Sequence, residues 1–114
     1  MPRLRESLTF PLERNITWRG AFATEPAEVA WASEAIFFVR ALKSEGLPAG
    51  TPARVQISPD GMHWCDEGTV LSLPGTTDET GFCRLRHFGG WLRLCGELPP
   101  GAALTVIVYL ALKG

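Results

Sequence analysis

Residues 58–67, Ser-Pro-Asp-Gly-Met-His-Trp-Cys-Asp-Glu, crowd a hydroxyl, an imidazole, a thiol and three carboxylates into ten positions. Ser58, His63 and Asp60 are by type a nucleophile, a base and an orienting acid. They fall within six residues of one reversal, where three side chains cannot line up in that order. Asp66 and Glu67 are a carboxylate pair adjacent in sequence. On a strand such neighbours point to opposite faces, so they do not form a general acid/base couple.

A metal reading draws on His63, Cys65, Cys83, His87 and Cys95. His63 and Cys65 share a strand face, and so do Cys83 and His87, so these ligand types would converge if their strands were neighbours. The two-to-four residue knuckle spacing of structural zinc sites is absent, and no metal is assigned. The three cysteines cannot all pair within one chain and read as reduced, largely buried thiols. No phosphate loop or nucleophile elbow is present, and the expectation is a protein that is not an enzyme and carries no cofactor.

The elements that must position these residues are strands. At 114 residues the chain suits one domain, and its 46% hydrophobic content is enough for one core. Twelve glycines and nine prolines separate short runs rich in apolar, β-branched and aromatic residues. The expected strands are 4–10, 15–20, 28–33, 35–43, 53–58, 68–73, 81–88, 91–98 and 104–113. A helix over 25–38, with Pro26 in its first turn, is the alternative for one segment. Strands are preferred there, because the run continues into Phe37-Phe38-Val39. Nine strands imply an all-β fold, an antiparallel two-sheet β-sandwich of jelly-roll type. An N-terminal arm is expected over 1–14 and a single sandwich domain over 15–114.

Alternation assigns faces. Val55 and Ile57 oppose Arg54 and Gln56; Cys83 and Leu85 oppose Arg84 and Arg86; Leu92 and Leu94 oppose Trp91, Arg93 and Cys95. In the last strand Leu104, Val106, Val108, Leu110 and Leu112 share one face. The other carries Thr105, Ile107, Tyr109 and Ala111, too apolar for open solvent, so that strand is central or covered. If Arg40, Arg54, Arg84, Arg86 and Arg93 lie on one sheet, they form a guanidinium patch that, with Ile107 and Tyr109, is the candidate interface.

The motif Ser58-x-Asp60-Gly61-x-x-Trp64 resembles the hairpin of discoidin-like, jelly-roll β-sandwich proteins encoded with bacteriophage structural genes. The runs 88–98 and 103–114 resemble their later strands. It fits the Asp-box of propellers poorly, since one residue is missing before Gly61 and the box occurs once. The resemblance implies a non-enzymatic virion or phage-like particle accessory, a capsid decoration or tail component. Such a protein works as a homo-oligomer or against a capsid or tail protein.

Within the motif, Asp60 accepts backbone N–H groups, Gly61 takes positive φ and Trp64 is expected to cap the core. The alternative is a carbohydrate-binding module in which Trp64, Asp60 and His63 contact a glycan. A net charge of −1 gives no pull toward nucleic acid or membrane. The start has no apolar run long enough for a signal-peptide core and no stretch reaches the length of a membrane span, which reads as a chain made in the cytoplasm, and found in the virion if the resemblance holds.

Overall fold

The computed structural model describes residues 6–114, and none of them is helical. Nine strands run in chain order: β1 (Ser7–Trp18), β2 (Ala21–Ala23), β3 (Ala27–Glu28), β4 (Glu34–Glu45), β5 (Pro52–Ser58), β6 (Cys65–Ser72), β7 (Thr80–Arg86), β8 (Trp91–Glu97) and β9 (Ala103–Lys113). They form two antiparallel sheets. Sheet A has the order β1-β9-β4-β7 and sheet B the order β2-β8-β5-β6, with β3 also paired to β8. The chain swings between the sheets so that the last strand lies between the first and the fourth, which is jelly-roll topology.

Alternating burial along the strands closes this sandwich. Along β4, Ala35, Phe37, Val39 and Ala41 are buried while their neighbours are half-buried or exposed. Along β9, Leu104, Val106, Val108, Leu110 and Leu112 are inaccessible and the intervening residues are half-buried. Leu92 and Leu94 of β8 and Val55 of β5 meet them from sheet B. Each fully buried side chain of this size stabilises the fold by roughly 1.5–3 kcal/mol relative to an exposed position. As expected, β9 is central in its sheet.

Two segments fold otherwise than the sequence suggests. The expected strands at 4–10 and 15–20 are one strand, β1, paired with β9 from Ser7↔Lys113 to Trp18↔Leu104. Pro11 is accommodated because β1 is an edge strand. Register shifts between Pro11 and Glu13 and between Glu13 and Ile16 absorb the irregular stretch. Of the arm expected over 1–14, residues 1–5 lie outside the described residues and Ser7–Arg14 belong to this ladder.

The run 28–33 is neither helix nor full strand. Only Ala27 and Glu28 pair with β8, after which Ala32 N–H closes a turn on the Val29 carbonyl at 3.0 Å and the chain enters β4. Val29 is fully buried, and that anchoring outweighs the local helix propensity. No helix among the described residues is long and apolar enough to cross a membrane.

Candidate functional site

The Ser58–Trp64 turn is held by its own side chains. Ser58 Oγ accepts the N–H groups of Asp60 at 3.2 Å and Gly61 at 2.8 Å. It donates in turn to Asp60 Oδ1 at 3.0 Å, and that oxygen also accepts the N–H groups of Met62 and His63, each at 2.9 Å. Asp60 Oδ2 meets His63 Nδ1 at 2.7 Å. The N–H bonds from His63 and Met62, with the His63 ring, hold the Asp60 carboxyl well below the usual carboxylate range. The order of contacts is therefore serine, aspartate, histidine. A nucleophile–base relay needs the histidine in the middle.

Gly61 has φ +80°, and a Cβ there would stand 3.1 Å from the Trp91 indole. The turn thus lies against Trp91, at the end where β8 meets β5. Trp64 does not cap the core, contrary to the sequence expectation. It is half-buried on the outer face of sheet B, with the Arg93 guanidinium 4.3 Å from its ring centroid. The register Gln56↔Arg93 brings that arginine within reach of the turn. The core tryptophan is Trp18, stacked on Phe22 with ring centroids 4.0 Å apart.

Around Trp64 a polar network covers the outer face of sheet B. Arg93 Nε donates to Gln56 Oε1 at 2.8 Å, and Gln56 Nε2 donates to Asp66 Oδ1 at 2.9 Å. Arg54 lies 3.5 Å from the same carboxylate and 3.5 Å from Cys95 Sγ. The candidate glycan contacts Trp64, Asp60 and His63 therefore sit together, beside two of the five arginines.

The remaining arginines are elsewhere, and the single guanidinium patch is not formed. Arg40 on β4 and Arg84 and Arg86 on β7 belong to sheet A, whereas Arg54 and Arg93 belong to sheet B. Each outward face of a sandwich points away from the other sheet, so the two sets lie on opposite sides of the molecule. Arg40 pairs with Asp78 at 3.0 Å.

The outer face of sheet A is the more apolar one. Phe82, Phe38, Tyr109 and Pro11 are successive cross-strand partners and form one row over four strands. Beside it runs the row Arg84, Ile36, Ala111 and Thr9, and on the other side Thr80, Arg40 and Ile107. Phe82 is 52% exposed, 6.1 Å from the Phe38 ring, with the Arg84 guanidinium 5.2 Å from its own centroid. Ile36, Phe38, Ile107 and Tyr109 are half-buried. The sequence reading named Ile107 and Tyr109 here but missed Ile36, Phe38 and Phe82. The signal was available, since Phe82 shares parity with Arg84 and Arg86, and Phe38 alternates with buried Phe37.

The thiols and imidazoles do not meet. Cys65 is exposed at the start of β6, Cys83 points inward from sheet A and Cys95 lies on sheet B. Among the described residues no group of three or more His, Cys, Asp or Glu side chains could hold a metal ion. Burial pushes the Cys83 thiol up to about 11, so it stays protonated.

No family model and no curated protein sequence matches the chain. Among solved structures it is similar to the crystal structure of the SPBc2 prophage-derived protein YomS. The TM-score is 0.64 at 9% identity, over 100% of this chain and 98% of that one. The likeness is one of fold and spans the whole sandwich.

Proposed function

We propose that the protein is a non-enzymatic assembly component of a phage-derived particle, a capsid decoration or tail accessory, acting through contacts on the outer face of sheet A. The observation that carries this reading is the row Phe82, Phe38, Tyr109 and Pro11, flanked by Ile36 and Ile107. An apolar strip across all four strands of a sheet is costly to leave in water and is the composition of an interface centre. Arg40, Arg84 and Arg86 border the strip, as arginine does at protein contacts. The jelly roll shared with a prophage-derived protein supports the setting. The partner is a second copy or a capsid or tail protein. The test is co-banding of the protein with particles on a density gradient, and its loss in Ile107→Glu.

A second reading, a carbohydrate-binding module, is favoured by the position of Trp64 at the surface rather than in the core. It requires that Trp64→Ala abolish retention on a glycan column. The substitution removes a half-exposed ring and a cation–π contact of about 0.5–1 kcal/mol, so the thermal transition should stay within a few degrees of the parent. Unchanged retention, or none in the parent, dismisses this reading.

A further inference from the structure

We propose that two copies of the chain pair edge to edge through β7, antiparallel about a two-fold axis at Phe82, so that two sheets A become one eight-stranded sheet. The proposal goes beyond the outer-face contact: it concerns the open edge of the same sheet, with a second copy as its occupant.

The edges of the two sheets are not equivalent. On β1, Pro11 and two register shifts break the ladder; on β6, a shift opposite Arg54 and Gln56 does the same. The remaining edge of sheet B is divided between β2 and β3, of three and two residues. Short, bulged or proline-bearing edges are poor templates for pairing. Strand β7 has none of these features. It runs in unbroken register with β4 from Thr80↔Arg40 to Arg86↔Glu34, and it ends the order β1-β9-β4-β7.

Its free side is set by hydrogen-bond alternation. Ala41 N–H donates to the Glu79 carbonyl at 3.0 Å and His87 N–H to the Ser33 carbonyl at 3.4 Å, so the odd-numbered residues of this strand bond to β4. The backbone groups of Thr80, Phe82, Arg84 and Arg86 therefore point to the open edge. An antiparallel partner must match even residues with even ones, which a two-fold axis at Phe82 does.

The side chains select that axis. Arginines on an edge ordinarily deter pairing. Antiparallel pairing about Phe82 sets Thr80 opposite the second copy's Arg84, whereas an axis at Arg84 would oppose arginine to arginine and an axis at Cys83 would set Phe82 against Arg84. Asp78 takes no part, since it lies in the turn before β7 with φ +69° and pairs with Arg40. The axis at Phe82 alone covers that exposed ring with its own counterpart and extends the aromatic row across both copies. Self-complementarity of this kind is what an isologous interface requires.

Sedimentation of the purified full chain tests this. Wild type is expected to be dimeric, and Phe82→Glu monomeric with an unchanged thermal transition, since Phe82 lies outside the core. Thr80→Arg, which would face the second copy's Arg84, should weaken the dimer roughly tenfold or more. In a Cys65→Ser background, Phe82→Cys should form a disulfide-linked dimer on oxidation, because directly opposed residues stand about 5.5 Å apart at Cα. Arg84→Cys alone should not.

A monomeric wild type overturns the proposal, as does a dimer that survives Phe82→Glu or Thr80→Arg. The two readings fail separately. A monomer that still co-bands with particles removes the β7 pairing and leaves the assembly role. A β7 dimer that never co-bands removes the particle role and leaves the pairing.

Discussion

Asp60 shows how one side chain can define a corner. Its Oδ1 collects two backbone N–H groups and the Ser58 hydroxyl, which keeps the folded carboxyl ionised below its ordinary value of 3.8. A carboxylate depressed by folding adds stability that is complete above the unfolded pKa and is lost as pH falls toward the folded one. Stability should thus decline below about pH 5, and Asp60→Asn should flatten that part of the curve relative to wild type. Denaturant unfolding of the two proteins from pH 6 down to pH 2 checks this; parallel curves would refute it. The role of Asp60 was legible in the sequence because Asx-turn chemistry is local. The place of Trp64 was not, because it depends on Arg93, which is brought near only by the pairing of β5 with β8. The same holds for Trp18, whose burial follows from stacking on Phe22 across a strand change.

At the scale of elements, alternation alone placed the inward residues of β5, β7, β8 and β9 correctly, since a half-buried strand writes its faces into every second residue. Sheet membership is not written that way. The five arginines look equivalent along the chain, and only the jelly-roll crossings send Arg54 and Arg93 to one side and Arg40, Arg84 and Arg86 to the other. Likewise Pro11 looks like a strand end but sits inside β1, because an edge strand tolerates a residue without an N–H. The crossing from β6 to β7 gives a sharper test. A Cβ on Gly81 would lie 2.6 Å from the Ser72 carbonyl oxygen, with no flexible side-chain end to yield. Gly81→Ala should therefore destabilise the fold by about 1–3 kcal/mol, read as a lower denaturant midpoint. An unchanged midpoint would mean the two strands do not approach this closely.

For the whole molecule, the sandwich has two outer faces of different character. Sheet B is dressed with hydrogen-bonded polar side chains, from Arg93 through Gln56 and Asp66 to Arg54. Sheet A presents an aromatic and aliphatic strip with an arginine border. The sequence announced this asymmetry only through the apolar outer residues of β9. The central claim is that sheet A, not sheet B, makes the particle contact. One density-gradient experiment compares it directly, using wild type, Ile107→Glu and Trp64→Ala, each first shown to melt in a single transition near that of wild type. Wild type and Trp64→Ala are expected to band with the particles while Ile107→Glu remains at the top. Banding of Ile107→Glu with the particles, or failure of the wild type to band at all, would contradict it.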